Sequence, residues 1–590
     1  MPQRPNKLSQ FWQELKRRRV VHVITVYASA AWVLIQLVST LTEPLNLPIG
    51  LTTIVVIVLA VGFPLTIILS WIYDLTSEGI EKTKPLSEIY EKEKTVVPNA
   101  WKIATYASFV VIAGFIVLNL VGRSKHLRSA DIQSLVILPF ENLTGDDELE
   151  WFVSAMHSSL IHDMGRISSL RVIGKTSSDV YKNSDMSASE IASKLDVDAV
   201  METQIVILGD SIRTLFNLIR VSPKEKQVLS GDIKEGKRQI QSLYNEITRQ
   251  ISDKVMIELS ANEEQLLAHS REVDPDALDA YYKGLFYNEM LDKKSLQNAN
   301  DYYLKAIEIA PDWAPPYAGL AGVAASQMQM FFISPSIAIP KIYENLNRAL
   351  ELDPDFSNSH SLKAAIAVWV EWNWEKGEEE FLKAIQLNPN KAESRILYAH
   401  LLNILHRSDE AIYQANLALK LEPQKANVLS LYSALMGHMG DYQSSIDYAE
   451  KALSINPTYR FAIVCIGGAY RKIGDYENWF KYLKKLGIYD DKVIASIYSV
   501  FQEQGYSSAV EMTIKIEEEA ANERNINNFI LGFRYLEIDQ YDKAVDYYEK
   551  AYAFHHPNTP YIATKMYGSD QLKENPRYIE LLKKMNLPIN

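Results

Sequence analysis

The chain has 590 residues, 47% of them hydrophobic and 23% charged, with a formal net charge of −12. That length allows about four domains on a prior of roughly 150 residues each, and the acidic balance leaves no basic field for nucleic acid. A single cysteine, Cys465, excludes any internal disulfide, and its setting between Val464 and Ile466 reads as a small buried hydrophobe.

Residues 1–19 form a basic amphipathic segment, with Phe11, Trp12 and Leu15 on one side of Leu8–Arg19 and the cluster Lys16, Arg17, Arg18 and Arg19 at its end. Three stretches without Lys, Arg, Asp or Glu follow, Val20–Leu41, Leu51–Tyr73 and Ile103–Val121. Each is close to the roughly 20 residues that cross a bilayer, so they predict membrane helices over 20–42, 51–74 and 102–122. Pro64 is expected to kink the second. Ala28-Ser29-Ala30 resembles a signal-peptide cleavage motif, but the apolar run continues past it. The link Thr42–Gly50 has no Lys or Arg, whereas residues 75–101 carry Lys82, Lys84, Lys92 and Lys94. Basic residues stay on the cytoplasmic side, which predicts a cytoplasmic amino terminus and a cytoplasmic 75–101 loop. Three crossings then carry everything after Gly122 outward. In a bacterium this means an inner-membrane protein with periplasmic domains and the lipid bilayer as a partner. No carboxylate lies within a span, so a transport path is not expected.

Residues 132–265 have a different texture. Leu135–Leu138 is a short apolar run ended by Pro139, followed by the turn-like Thr144-Gly145-Asp146 and helical spacing through Leu149, Phe152, Met156, Leu160 and Met164. Leu170–Ile173 predicts a strand and Ser187–Leu195 a helix. Ala199–Leu208 and Ile212–Val221 predict a hairpin turning at Gly209-Asp210. A helix over about 239–259 closes a small α/β domain.

Several patterns suggest chemistry, and each has a plainer explanation. Gly231–Lys237 has the spacing of a phosphate-binding loop, but Arg238 stands where a Ser or Thr hydroxyl should hold magnesium, which favours a solvated charged turn. His157 and His162 are five apart and fall on different helix faces, so no metal site is expected. The acidic residues from Asp146 to Glu150 suit a helix start. Asn142-Leu143-Thr144 matches a glycosylation acceptor, which the bacterial resemblance described below discounts. No catalytic residue, cofactor or metal is expected, and the chain is not expected to be an enzyme.

From residue 275 to 557 one phrase recurs: an Ala, a short aliphatic step and a Pro five residues on. It appears as Ala306 to Pro311, Ala349 to Pro354, Ala384 to Pro389, Ala418 to Pro423 and Ala452 to Pro457, the last three steps between prolines being 35, 34 and 34 residues. That period belongs to tetratricopeptide repeats, stacked helix pairs in which Ala permits close contact and Pro ends the second helix. Eight units run from Ala277; the unit ending at Asp490-Asp491 lacks its Pro, and the next, around Val493–Asn522, is degenerate. The unit from Trp313 to Pro354 is longer than its neighbours, and its excess, near Phe331–Pro335 and Pro340, predicts an edge loop. Residues 558–590 are expected to cap the stack. Trp369, Trp372 and Trp374 are read as core before cage.

The segments "SLVILPFENLTGDDELEWF", "SSLIHDMGRISSLRVIGKTSS" and "IASKLDVDAVMETQIVILGDSIRTLFNLI" resemble the TolB-like amino-terminal domain that precedes tetratricopeptide repeats in bacterial membrane proteins. "ELKRRRVVHVITVYASAAWVLIQ", "GFPLTIILSWIYDLTSEGI" and the closing "NPRYIELLKKMNLP" resemble the same family's membrane helices and terminal segment. The implied fold is multidomain: a three-span α-helical membrane segment, a small α/β TolB-like domain and an all-α repeat superhelix. Relatives can carry a cytoplasmic adenylate cyclase, kinase or winged-helix output domain. Only about 19 residues precede the first expected span here, too few for such a domain.

In proteins of this resemblance, first-helix positions facing the concave side are Glu393, Ile396, His400, Asn403 and Ile404, then Asn427, Ser430 and His438, then Phe461, Arg471 and Lys472. The expected partner-binding residues are Glu393, His400, Asn403, Asn427, His438, Arg471 and Lys472, forming a mixed polar groove for a protein or peptide. Two functions follow. One is a membrane-anchored interaction scaffold or sensor displaying the groove in the periplasm. The other is a regulatory subunit coupling that groove to a separate cytoplasmic signalling enzyme.

Overall fold

The computed structural model describes residues 20–42, 55–59, 62–64, 73–76, 79–82 and 132–589, the last stretch apart from 147–148, 223, 258, 269–271, 291, 330–331 and 521–526. They belong to two compact units, Met1–Leu127 and Arg128–Asn590. In the first, helix α1 (Val20–Thr42) meets a second helical stretch: the Tyr27 hydroxyl donates to Leu59 O at 2.8 Å, and its ring lies 5.7 Å from Phe63. Strands β1 (Tyr73–Thr76) and β2 (Gly79–Lys82) pair antiparallel, with Tyr73 opposite Lys82.

These elements correct the three-span expectation. Among the described residues no helix is long and apolar enough to cross a membrane. Thr25, Tyr27, Ser29 and Gln36 interrupt the apolar run of α1. The second expected span, 51–74, is helical at described residues 55–59 and 62–64 and has become strand by Tyr73. The third, 102–122, and the basic segment 1–19 lie outside the described residues. The expected inner-membrane placement, with a cytoplasmic amino terminus and periplasmic domains, rested on those spans and falls with them.

The second unit opens with strands β3 (Ser134–Ile137), β4 (Glu141–Asn142), β5 (Arg171–Val172), β6 (Ala199–Leu208), β7 (Ser211–Arg220) and β8 (Lys226–Gly236). Their order is β5-β3-β6-β7-β8, with β4 also paired to β6. β3 pairs in parallel with β5 and β6; β6, β7 and β8 form an antiparallel meander. Alternation places Met201, Thr203, Ile205 and Ile207 on one face, where Ile212, Thr214, Phe216 and Leu218 of β7 join them. Helices α2 (Glu150–Met164), α3 (Lys175–Asp179), α4 (Ala188–Leu195), α5 (Ile240–Lys254) and α6 (Ala261–Ala268) complete the domain. α2 and α5 cover the β6–β7 core face through Phe152, Met156, Leu160, Leu243 and Ile247. α4 covers the opposite face beside β3, where Ile191, Ala192 and Leu195 meet Val136 and Val200. Its start is fixed by a capping box in which Ser187 and Glu190 satisfy each other's backbone amides.

Among the described residues eight helix pairs follow. The first four are α7 and α8 (Pro275–Asn288, Lys293–Ile309), α9 and α10 (Ala314–Gln329, Pro335–Leu352), α11 and α12 (Ser357–Ile366, Trp374–Leu387), and α13 and α14 (Ala392–Ile404, Ser408–Leu421). The others are α15 and α16 (Ala426–Met439, Tyr442–Ile455), α17 and α18 (Arg460–Lys472, Tyr476–Leu486), α19 and α20 (Asp491–Gln504, Tyr506–Ala520), and α21 and α22 (Asn528–Glu537, Tyr541–Ala553). A last helix, α23 (Pro576–Lys584), follows two short 3-10 turns.

The recurring phrase has a direct structural cause. Ala349, Ala384, Ala418 and Ala452 are fully buried, where a larger side chain would force the helices of a pair apart. The amides of Asp353, Asn388, Glu422 and Asn456 bond back to those alanine carbonyls at 2.9–3.0 Å. Each of these residues then leaves the helical region because a Pro comes next, and the chain turns into the next unit. In the long second unit Phe332–Ser334 lie in the connection between the helices, where the edge loop was expected, residue 331 being outside the described residues, whereas Pro335 is the first residue of α10, where its missing N–H costs nothing, and Pro340 lies within the same helix.

Two of those turns hold the α/β domain. The Asn390 side chain reaches the loop after α2, its Nδ2 donating to Gly165 O (3.0 Å), Ile167 O (3.1 Å) and Leu170 O (2.9 Å) while its Oδ1 accepts from Val172 N at 3.0 Å. One turn later Glu422 accepts from the backbone and hydroxyl of Ser177, at 3.0 and 2.7 Å, in the first turn of α3. Gly174 donates its amide to Leu421 O at 2.9 Å, and a Cβ on it would stand 2.2 Å from Glu422 Oε1. Burial pushes the Glu422 carboxyl up, while Lys425 draws it down. The first repeat adds an apolar contact, with Ala277, Leu278 and Tyr282 entering the core of α2 and α5.

Candidate functional site

The concave residues chosen from the sequence lie on α13, α15 and α17, and the structure shows what faces several of them: the chain's own segment Thr559–Tyr567. Tyr561 is its anchor. Its ring stacks on His438 at 4.4 Å and 13°, and its hydroxyl meets His400 Nδ1 at 3.2 Å. His400 Nε2 lies 3.0 Å from Leu431 O, an acceptor, so Nε2 carries the proton and Nδ1 accepts from Tyr561. Trp369 Nε1 donates to the same hydroxyl at 3.2 Å, completing a directed run from Trp369 through Tyr561 and His400 to a backbone carbonyl.

A second set of bonds follows along the segment. Thr564 donates its hydroxyl to Tyr561 O at 2.7 Å, which leaves Thr564 Oγ1 to accept from His438 Nδ1 at 3.2 Å. Lys565 N donates to His438 O at 3.0 Å, and the Tyr442 hydroxyl donates to Lys565 O at 3.2 Å. Gly437 makes room for Met566, whose Cε would stand 2.8 Å from a Cβ there. Burial pushes the His400 imidazole down to about 4 and holds that of His438 well below its ordinary value, with His400 adding to the second shift.

The other chosen residues divide by place. Asn403 is buried, and its Nδ2 has no hydrogen-bond partner among the described residues. Arg471 lies 2.8 Å from Glu537 and over the Phe533 ring at 4.4 Å, with Lys472 5.4 Å from the same ring. Burial, aided by Arg471, lowers the Lys472 ammonium. Glu393 pairs with Lys425; burial pushes its carboxyl up, but Lys425 and Lys391 outweigh this and hold it at about 2. Asn427 accepts from the Tyr459 hydroxyl at 3.0 Å. Ile396, Ile404 and Ser430 are buried, and Phe461 is exposed. The structure thus gathers His400 and His438 around Tyr561 and Arg471 and Lys472 around Phe533, while Glu393 and Asn427 bond only to neighbouring repeat residues in the interactions above.

Residues 433–459 match the tetratricopeptide repeat family. The match covers the end of α15 and all of α16, the helix pair that carries His438. A Rhizobium meliloti protein bearing the provisional name adenylate cyclase 3 is 27% identical over 197 residues, 32% of each chain, so this chain spans about a third of that relative's length. Among solved structures, a tetratricopeptide-repeat protein of Thermus thermophilus aligns over 33% of this chain and 98% of its own, with 17% identity and a TM-score of 0.27. The human IFIT1 dimer with m7Gppp-AAAA aligns over 53% of this chain and 76% of its own, with 17% identity and a TM-score of 0.35.

The remaining sequence patterns have structural roles. The Trp374 indole donates to Met585 O at 2.8 Å, and Trp372 stacks on His555 at 4.3 Å, so both tryptophans tie the third tetratricopeptide unit to the end of the chain. Gly231–Gly236, expected as a turn, lies within β8. His157 sits 2.9 Å from Ile137 O and His162 lies 3.4 Å from Asn388, in separate surroundings. Among the described residues no group of three or more His, Cys, Asp or Glu is placed to hold a metal ion. Burial pushes the Cys465 thiol up to about 12, an inert setting. Sequence reasoning missed Tyr561 and Thr564, because a short stretch without helical or strand spacing gives no sign of what it packs against.

Proposed function

We propose that this chain is a protein-interaction scaffold, without catalytic activity of its own, that holds a partner segment in the repeat groove where residues 559–567 now lie. The observation that carries this is the groove's treatment of its own segment. A peptide that turns as this one does, with a Tyr, a Thr three residues on and a free amide after it, finds a stacking face, two imidazole partners and a carbonyl waiting for it. Mixed aromatic and backbone recognition of that kind suits a protein partner, and the net charge of −12 disfavours nucleic acid.

The test is a labelled synthetic peptide of residues 558–568, titrated by fluorescence anisotropy against the full chain and its Tyr561→Ala variant. The peptide is expected to bind the variant, whose internal segment has lost its anchor, more tightly than the unaltered chain, and adding His438→Ala should abolish the gain. A Tyr561→Ala variant that is folded by circular dichroism yet does not bind the peptide would remove the groove reading.

A second reading, regulation of a separate signalling enzyme, is favoured by the Rhizobium meliloti match. Cyclase activity that co-purifies with the full chain would support it over a scaffold with no enzymatic partner.

A further inference from the structure

We propose that the repeat groove selects its partner by sequence and shape: it takes a turn-forming peptide loop with a Tyr, a Thr three residues on, a Met two further and a Gly two beyond that, and the tyrosine hydroxyl decides the match. This rests on the groove reading above and names the class of partner it takes.

Residues 561–568 read Tyr-Ile-Ala-Thr-Lys-Met-Tyr-Gly. Tyr561, Thr564 and Met566 are buried, whereas Lys565 among them is exposed. Ile562 is buried as well, its carbonyl taking the Tyr578 hydroxyl of α23 at 3.0 Å. Stacking on His438 asks only for an aromatic ring. The hydroxyl narrows the choice to tyrosine. It donates to His400 Nδ1 and accepts from Trp369 Nε1, both at 3.2 Å, so donor and acceptor are both used. His400 is held in place by its Nε2 bond to Leu431 O at 3.0 Å, and with 2% of the residue exposed, water is no substitute for the hydroxyl. Phenylalanine would stack equally well and strand that nitrogen. A site built around a hydroxyl rejects the analogue that lacks it.

Thr564 fixes the shape. Its amide and its hydroxyl both bond back to Tyr561 O, at 2.9 and 2.7 Å, which leaves Oγ1 to accept from His438 Nδ1 at 3.2 Å. Valine has the same outline and makes neither hydroxyl bond; serine keeps both. Gly568 completes the loop by donating its amide to Thr564 O at 2.7 Å, where a Cβ would stand 2.7 Å from Ile562 O. Met566 enters a niche between α15 and α17 that two glycines leave open. A Cβ on Gly437 would stand 2.8 Å from its Cε, and one on Gly468 would stand 3.9 Å from its Cε and Sδ. A long unbranched side chain suits such a gap. Lys565 is held through its backbone, N donating to His438 O and O accepting from the Tyr442 hydroxyl, which leaves its exposed side chain free to vary.

The experiment titrates labelled peptides of residues 558–568 by fluorescence anisotropy against the full chain carrying Tyr561→Ala. The set is the unaltered sequence and its Tyr561→Phe, Thr564→Val, Thr564→Ser and Lys565→Gln forms. Tyr561→Phe and Thr564→Val are each expected to weaken binding at least about tenfold, and Lys565→Gln less than about twofold, with Thr564→Ser milder than Thr564→Val. On a chain that also carries Trp369→Phe, the ratio between the Tyr and Phe peptides should shrink, since one of the hydroxyl's two partners is gone. If all five peptides bind alike, the selection is overturned while the groove reading stands. If none binds, both fall. A Phe peptide as tight as the Tyr peptide, or a ratio unmoved by Trp369→Phe, also overturns the selection, because the hydroxyl would not be read where the structure places it.

Discussion

Asn390→Ala will lower the stability of the 128–590 unit by about 3 kcal/mol, because one side chain serves four backbone groups at the junction of the repeats and the α/β domain. Its two amide N–H bonds are shared among the carbonyls of Gly165, Ile167 and Leu170, and its carbonyl oxygen takes the amide of Val172. Alanine takes from Leu170 O and Val172 N the partner given above, in a partly buried seam, while Gly165 O keeps only the long bond from the amide of residue 390 (3.3 Å) and Ile167 O that from Leu170 N (3.4 Å); each orphaned group costs on the order of 1 kcal/mol or more. Asn390→Asp should be at least as harmful, since it keeps the acceptor and sets a carboxylate against three carbonyl oxygens. The control is Thr458→Ala, the residue after Pro457 just as Asn390 follows Pro389. Thr458 is exposed, and its hydroxyl reaches only Asn456, so its loss should cost less than about 0.5 kcal/mol. Urea midpoints of the three variants check the prediction. Equal small effects at 390 and 458 would mean that the two parts of the unit are not energetically joined there.

The contrast between those two turns shows how far the sequence could be read. Both are Pro turns of the same repeat, and Ala384 and Ala452 announce them equally well, because a buried helix contact leaves a local mark: only a small residue fits. The β6–β7 hairpin was legible for a similar reason, since alternation and the Gly209 turn, with φ +58°, are both local. What a turn touches 220 residues away is not local, and nothing within Asn388-Pro389-Asn390 distinguishes it from Asn456-Pro457-Thr458 as a docking point. β8 escaped because an edge strand exposed on one face carries Lys226, Ser230, Asp232 and Lys234 at the positions where a buried strand would carry valines. The concave residues His400 and His438 were found by counting along the repeat, but their occupant was not. Residues 559–567 pack by individual contacts of Tyr561, Thr564 and Met566, which have no period. The apolar runs near the amino terminus show the opposite failure. Length and lack of charge suggested membrane helices, yet in the described residues one such run has become strand by Tyr73, and Tyr27 bonds the backbone of the next.

Stability will fall as the pH drops from about 6.5 toward 4, and His400 will account for about 2 kcal/mol of the loss at pH 5. The hydrogen bonds already require a neutral ring: Nε2 donates to Leu431 O, so a proton on Nδ1 would sit against the hydroxyl of Tyr561 and force it to give up its donation. Burial therefore holds the folded imidazole at about 4, against 6.5 in the unfolded chain. Because the folded value is depressed, the unfolded chain binds more protons in the interval between them. The stabilisation is complete above 6.5 and is lost as pH falls through that window. His438, stacked on the same Tyr561, shifts in the same direction from burial and from His400. Burial likewise lowers His157, His162 and His556. His360 opposes them: burial lowers it, but Glu380 and Pro354 O raise it further, so its contribution is present at low pH and lost as pH rises. The total slope is therefore shared among several histidines, and the part due to the closed groove is isolated by difference. His400→Gln retains a donor for Leu431 O and removes the titration, so the stability lost between pH 7 and pH 5 should shrink by about 2 kcal/mol relative to the unaltered chain. An unchanged slope would show that the 559–567 segment leaves the groove without unfolding the rest. Acid would then open the site before it melts the protein, and the labelled peptide should bind the unaltered chain at pH 5.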